Sequence, residues 1–291
     1  MSGSQIIGRP TAEALTREVV RTPAMLAASI VVAIGIVAAS AYGLLATDPY
    51  RSLPDATVLA ARGQDVGSLI VAGLLVALAR PSQLAPTRFL AWLGLLAYVV
   101  YSYAIYLTGV PMNRVFLVYV VIESVAGAAL LVGLWRLTTM VWPEVVSTRL
   151  RRSTGWTFVV VAVLFAGLWL STLLPVALTG SVPDPEGVGG APYPVFVLDL
   201  VVVLPAVAAV GVLLLRGRRL GPPLSVVTLI KILTLFATLW AGPAYALATD
   251  GPVHLGPDAA PSLVLLLACA WLLTAWWRRL AIETTEKEGT R

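Results

Sequence analysis

Charged residues inside apolar segments are the part of this sequence best placed to do chemistry. Lys231 lies in the apolar stretch 224–245, and Glu123 and Asp199 lie in two further apolar stretches. An ionised side chain in hydrocarbon costs at least about 2.5 kcal/mol, so such residues face a protein interior or a water-filled cavity and indicate a functional site. Thr238 falls on the same helical face as Lys231, which predicts a polar stripe that other helices must cover.

A second set of polar residues lies near the ends of similar stretches. Arg62 and Asp65 are three residues apart, so they share a helical face and can pair. Asn113 and Arg114 come at the start of the stretch that holds Glu123 and are expected to cap and anchor it. With a deep tyrosine from the preceding stretch added, the predicted substrate-binding residues are Asp199, Lys231, Glu123, Asp65, Arg62, Arg114, Asn113 and Tyr101.

The composition indicates what positions these residues. Hydrophobic residues make up 58% of the chain and charged residues only 12%, whereas soluble domains carry about 25% charged residues. Apolar runs close to the roughly 20 residues that cross a bilayer recur along the chain. The predicted fold class is therefore all-α, a polytopic transmembrane bundle of eight spans at about 24–46, 62–79, 89–108, 113–137, 155–178, 194–215, 224–245 and 261–277.

The distribution of basic residues predicts the orientation. With the N-terminus inside, 16 of the 20 Lys and Arg residues lie on the cytoplasmic side, as the positive-inside rule requires. We therefore expect a cytoplasmic N-terminal segment 1–23, an eight-span domain 24–280 and a cytoplasmic C-terminal tail 281–291. An arginine-, alanine- and valine-rich composition is typical of GC-rich prokaryotic genomes, so the predicted location is the plasma membrane of a prokaryote.

Depth along the helices suggests which charged residues meet. At about 1.5 Å per residue, Lys231 and Glu123 reach similar depths near the middle of the bilayer, and Asp199 lies nearer the outer surface. This predicts a cavity open to the outside, with Lys231 and Glu123 as its floor and Asp199, Arg114 and tyrosines as its wall. Pro205 is expected to interrupt the backbone hydrogen bonds of the span that carries Asp199.

Several classes of site are excluded by counts and missing motifs. The chain has one cysteine, Cys269, and one histidine, His254, so disulfides within the chain, bis-histidine haem and multi-histidine metal sites are out. It also lacks HExxH, G-x-S-x-G and P-loop motifs. We therefore predict no metal and no cofactor. The net charge of +5 is explained by topology and anionic headgroups, so the expected partner is the lipid bilayer and not nucleic acid.

Three short stretches carry a resemblance to other proteins. They run from Arg62 to Asp65, from Asn113 to Tyr119 and from Pro194 to Asp199. They resemble stretches of uncharacterised multi-pass bacterial membrane proteins. The resemblance covers spans 2 to 6, implies no known activity and assigns no role to any residue.

Three functions remain open from the sequence. The first is a membrane protein with an outward-facing polar cavity that binds or transports a small polar solute or ion, with Glu123, Asp199 and Lys231 as binding or proton-exchanging groups. The second is a non-catalytic membrane scaffold or partner subunit, whose ion pairs only hold helices together. The third is a membrane-embedded enzyme acting on a lipid, with Asp65 or Asp199 as acid or base. The sequence favours a non-enzymatic role, and protein partners are not predictable from it.

Overall fold

A computed structural model describes residues 23–46, 49–50, 55–81, 85–140, 142, 147–180, 193–249, 253 and 259–288. Every regular element in these ranges is helical, and eight helices are long and apolar enough to cross a membrane. The predicted all-α, multi-pass fold is therefore confirmed. The cytoplasmic location of both termini stays a prediction. Except for Pro23, the predicted N-terminal segment lies outside the described residues, as does His254.

Most helices extend beyond the apolar runs into their polar flanks. In chain order they are span 1 (Pro23–Leu45), span 2 (Asp55–Ala79), span 3 (Pro86–Gly109), span 4 (Phe116–Thr139), span 5 (Thr148–Thr179), span 6 (Tyr193–Leu198, a π-helical turn Asp199–Val203 and Leu204–Leu215), span 7 (Gly221–Ala248) and span 8 (Ala259–Glu288).

Two boundaries differ from the prediction in ways that affect the site. Span 2 begins at Asp55 rather than near Arg62, so Arg62 and Asp65 lie well inside the helix. Span 4 begins at Phe116, which leaves Asn113 and Arg114 in the loop before it. The backbone N–H of Val115 donates to the Asn113 side chain at 3.0 Å, so Asn113 shapes the turn that starts span 4.

Spans 3 and 7 form the centre of the bundle. Span 3 packs on spans 2, 4 and 7, and span 7 also packs on spans 2, 6 and 8. Span 1 joins spans 2 and 4, and span 5 packs mainly on span 6. In the most apolar part of span 3, 67% of the residues are buried, against 6% in span 5. Polar side chains on span 3 are therefore enclosed by protein, whereas span 5 is a peripheral helix.

The contact between spans 2 and 7 depends on two glycines four residues apart. A Cβ atom on Gly63 would lie 2.3 Å from the backbone of Gly242, and one on Gly67 would lie 2.3 Å from the Thr238 side chain. Small residues at this spacing let two membrane helices approach closely. The approach brings the polar residues of span 2 next to the centre of the bundle.

Candidate functional site

Span 3 carries a band of buried polar side chains that meets two acidic residues from different directions. Its polar members are all buried: Tyr98, Tyr101, Ser102, Tyr103 and Tyr106. Because successive helical residues are rotated by about 100°, these side chains point toward different neighbouring spans. On one side they reach Asp199 and Lys231, and on the other they reach Asp65.

The first cluster surrounds the carboxylate of Asp199. The Tyr101 hydroxyl donates to Oδ1 at 3.0 Å, and the Trp169 indole N–H donates to Oδ2 at 2.9 Å. Asp199 is 8% exposed. Three spans therefore meet at this carboxylate, since Trp169 comes from span 5 and Tyr101 from span 3. Each oxygen keeps lone pairs that these two donors do not use.

Lys231 belongs to the same cluster but does not bond to the acid. Its ammonium group lies over the Tyr101 ring, 3.9 Å from the ring centroid, a cation–π contact. Lys231 and Asp199 attract each other electrostatically. Among the described residues, however, Lys231 makes neither a hydrogen bond nor an ion pair within 4.0 Å. Its three N–H groups thus lack acceptors, although the side chain is only 8% exposed.

The backbone at Asp199 has an unusual geometry. A π-helical turn runs from Asp199 to Val203, and the N–H of Leu204 bonds to the carbonyl of Asp199, five residues earlier. Pro205 follows directly; it has no N–H, and its ring clashes with the carbonyl four residues before it in a regular helix. The predicted interruption near Pro205 is therefore confirmed as a π turn. Such turns are frequent at functional sites.

The second cluster surrounds Asp65, which is 2% exposed. The Tyr50 hydroxyl donates to Oδ2 at 2.7 Å, and the Tyr106 hydroxyl lies 3.3 Å from Oδ1. The buried Ser40 hydroxyl lies near the carboxylate but is not placed to form a hydrogen bond with any described residue. Gly43 of span 1 permits the approach, because a Cβ atom there would lie 2.1 Å from Oδ2.

Tyrosine rings enclose the Asp65 cluster. Tyr103 and Tyr106 stack with centroids 5.4 Å apart, and Tyr119 packs 5.3 Å from Tyr106. The Asn113 side-chain amide lies 3.5 Å from the Tyr119 hydroxyl, at the limit of a hydrogen bond. The deep tyrosines therefore pack around a carboxylate in the interior. All three rings are buried, so they do not form an aromatic belt at the membrane surface.

Tyr50 lies between spans 1 and 2, outside the membrane-spanning segments. Burial, followed by the negative charge of Asp65 and the hydrogen bond to it, raises the pKa of the Tyr50 phenol far above its ordinary value. The phenol therefore stays protonated and remains a donor to Asp65 over the whole physiological pH range.

Gln64 connects the two acidic clusters along span 3. Its side-chain amide donates to the Tyr98 hydroxyl and to the Ser102 hydroxyl at 3.1 Å. Gln64 precedes Asp65, and Ser102 follows Tyr101, so one amide joins residues adjacent to both clusters. Spans 1, 2, 3, 6 and 7 thus share one polar layer through the interior of the bundle.

The predicted pairing of Glu123 with Lys231 is wrong. In the described part of the chain Glu123 makes no ion pair within 4.0 Å, and one of its oxygens is buried without a hydrogen-bond partner there. The acid whose charge acts on Lys231 is Asp199. Span 4 packs on spans 1 and 3, so span 3 separates Glu123 from the centre. The sequence estimate put the two residues at the same depth, but in the structure they lie on different sides of the bundle.

Two arginines also differ from their predicted contacts. Asp65 accepts hydrogen bonds from Tyr50 and Tyr106, and the Arg62 Nε is buried without a hydrogen bond to any described residue. The predicted Arg62–Asp65 pair is therefore not formed within 4.0 Å in the described part of the chain. Arg114 is exposed and is not among the hydrogen-bond partners of Asp199, which are Tyr101 and Trp169.

Three functional candidates were missed by sequence reasoning. Trp169 lies in a peripheral span, and nothing in its spacing indicates that it reaches Asp199. Tyr50 lies in a short loop and reads as an interfacial aromatic residue. Gln64 is adjacent to Asp65, and its position inside a span was a usable signal, because a buried amide needs partners.

No cluster of three or more His, Cys, Asp or Glu residues in the described ranges is arranged to hold a metal ion. Asp65, Asp199 and Glu123 belong to separate parts of the bundle, so their carboxylates do not converge. The expectation that the protein uses no metal or cofactor stays a prediction.

Comparisons with known proteins give no assignment. No protein-family model matches the chain, and no curated protein and no solved structure is significantly similar to it. Function must therefore be inferred from the buried polar clusters themselves.

Proposed function

We propose that this integral membrane protein binds and transports a small polar solute or ion through a site formed by Asp199, Lys231 and Tyr101. The single observation that carries the proposal is the pair of buried, oppositely charged groups that lie side by side without bonding to each other. Structural ion pairs in apolar interiors gain most from direct contact, since desolvation is otherwise uncompensated. Because Asp199 and Lys231 are not bonded to each other, each can still bind a charged group of a ligand.

The surroundings of Asp199 support this function. The π turn changes the backbone hydrogen bonds next to the carboxylate, and non-helical backbone at membrane depth is tolerated where it is buried or lines a cavity. Aromatic rings lie around the same point: Trp169 packs edge-on against Phe196 at 5.0 Å. The site is therefore polar at its centre and apolar around it, the usual composition of a small-molecule site.

Asp65 is assigned a supporting role in the same function. It is buried with two phenolic donors and no cation in contact within the described residues. A carboxylate in such a place lowers its desolvation cost by taking up a proton or a cation. We therefore assign Asp65 to proton or cation exchange coupled to movement of the solute. That solute path is proposed to open to the outside, as the sequence indicates.

The test uses purified protein in liposomes. Wild type should show saturable uptake of at least one solute from a panel of small ions, sugars and amino acids, and Asp199→Asn should lose it. Glu123→Gln is the matched control, because it neutralises a carboxyl in a span outside the Asp199 cluster and should retain uptake. Equal uptake by wild type and Asp199→Asn would refute the proposal.

A second candidate function is a non-catalytic scaffold or partner subunit. Glu123 favours it, because a half-buried carboxyl on span 4 has an oxygen without a hydrogen-bond donor. A polar side chain of another membrane helix can satisfy such a group. Crosslinking at Ser124, which is exposed beside Glu123, distinguishes the candidates: a specific protein product that Glu123→Gln abolishes supports the scaffold.

A further inference from the structure

We infer that the Asp199–Lys231 site takes a small zwitterion, a molecule with an ammonium group and a carboxylate a few atoms apart, as in an amino acid. The inference rests on the proposed function and adds its substrate class. It starts from unused hydrogen-bonding capacity. The Lys231 ammonium has three N–H donors without acceptors in the described part of the chain, and Asp199 uses one lone pair on each oxygen.

The Asp199 and Lys231 charges both contact Tyr101 but do not contact each other. The Tyr101 side chain contacts both groups. The Lys231 ammonium lies 3.9 Å from the centroid of its ring, and its hydroxyl donates to Asp199 at 3.0 Å. The two charged groups are therefore near each other but farther apart than the 4.0 Å of an ion pair. A ligand carboxylate can accept from Lys231 while the ligand ammonium donates to the free lone pairs of Asp199.

Charge balance favours a zwitterion over a simple ion. A lone cation would neutralise Asp199 but leave the Lys231 ammonium buried and more strongly repelled, and a lone anion would do the reverse. A zwitterion matches both groups at once and adds no net charge to the interior, where uncompensated charge is expensive.

The other buried polar groups in the bundle give weaker evidence for a ligand-binding site. The Asp65 cluster is closed by two phenolic donors and by Gly43 of span 1, and no cationic side chain contacts it in the described residues. Glu123 has an unsatisfied oxygen but no second group that would define a ligand. The Asp199–Lys231 site offers both a buried acceptor and a buried donor to one ligand.

The first experiment needs no variant. Wild-type protein in lipid nanodiscs is titrated with each of the twenty standard amino acids, and the best binder is compared with its two fragments, the amine without the carboxylate and the acid without the ammonium. We expect the amino acid to bind at least about tenfold more tightly than either fragment, because each charged hydrogen-bonded contact is worth about that factor. Equal binding of the amine fragment, or no binding of any amino acid, overturns the inference.

Two variants then assign the contacts. Lys231→Met should weaken amino-acid binding at least about tenfold and strengthen binding of the amine fragment, because it removes a like charge. Asp199→Asn should weaken amino-acid binding by a similar factor and strengthen binding of the acid fragment for the same reason. Glu123→Gln should leave every affinity unchanged. Lys231→Arg keeps the charge and should keep the preference for the zwitterion, which separates recognition from a general loss of folding.

The outcomes separate this inference from the proposed function. If ions or uncharged solutes are transported in an Asp199-dependent manner and no amino acid binds, the transport function stands and the zwitterion is wrong. If no solute of any class binds or moves, both fail together.

Discussion

Replacing Gly43 by alanine tests the Asp65 cluster in the most direct way. The new Cβ atom would lie 2.1 Å from Asp65 Oδ2 and 2.6 Å from the Tyr50 hydroxyl oxygen, where ordinary contact begins near 3.4 Å. Both atoms must therefore move by about 1 Å, and the 2.7 Å hydrogen bond between them cannot keep its geometry. Asp65 is 2% exposed, so water does not readily replace the lost donor.

The expected cost follows from two terms. Overpacking of a tight interior costs about 1–3 kcal/mol, and loss of a buried hydrogen bond in a membrane protein costs about 1–2 kcal/mol. Gly43→Ala should thus lower the free energy of unfolding by about 2–5 kcal/mol, measured by denaturant titration in mixed micelles. Gly73→Ala is the matched control, because no atom lies within 4 Å of its new Cβ and alanine is the better helix former. A Gly43→Ala variant as stable as Gly73→Ala would refute the structure of the cluster.

Three further predictions follow from the same contacts. Above a pH of about 10, the unfolding free energy of wild type should fall more steeply with pH than that of Tyr50→Phe. The reason is that the raised pKa keeps the folded phenol protonated while the unfolded phenol loses its proton. Parallel alkaline melting curves of the two proteins would contradict this. Gly67→Val should destabilise the protein by about 1–3 kcal/mol in the same denaturant titration, because a Cβ at that position lies 2.3 Å from Thr238; unchanged stability would show that spans 2 and 7 are not in close contact. Tyr101→Phe should lower the free energy of unfolding by about 1–2 kcal/mol, because it removes one donor to Asp199 but keeps the ring below the ammonium. Tyr101→Leu also removes the ring, so it should lower the unfolding free energy further, measured by calorimetry. Equal losses in the two variants would exclude the cation–π contact.

The number and order of the spans could be predicted from sequence because each apolar run must satisfy its own backbone hydrogen bonds in lipid. A run of about 20 apolar residues therefore has to be a helix, whatever packs against it. Helix ends were less predictable. Span 2 begins at Asp55, before the apolar run, because polar residues continue the helix beyond the hydrocarbon.

The partners of the buried charges could not be predicted, because sequence gives depth but not the direction in which a side chain points. The sequence estimate put Glu123 and Lys231 at similar depth, yet span 3 separates them. The same estimate put Asp199 at a different depth, but Tyr101 contacts both Asp199 and Lys231.

The small residues of span 2 show how far their spacing in the sequence predicts helix contacts. Gly73 and Ala77 have the small-xxx-small spacing that favours a helix contact, but no described atom lies within 4 Å of a Cβ built on Gly73. Gly63 and Gly67 have the same spacing in the same span and do form the contact with span 7. Their GxxxG pattern was readable in the sequence, but choosing between the two pairs needs the position of span 7.

The central claim is that Asp199 and Lys231 form a binding site and do not simply hold helices together. The most direct measurement is a ligand screen by melting temperature in lipid nanodiscs, with wild type, Asp199→Asn, Glu123→Gln and the double variant Asp199→Asn/Lys231→Met side by side. We predict that at least one small polar solute raises the melting temperature of wild type and of Glu123→Gln but not of the two variants that change Asp199. If no solute stabilises wild type and the double variant melts at the wild-type temperature, the two charges are architectural and the claim is contradicted.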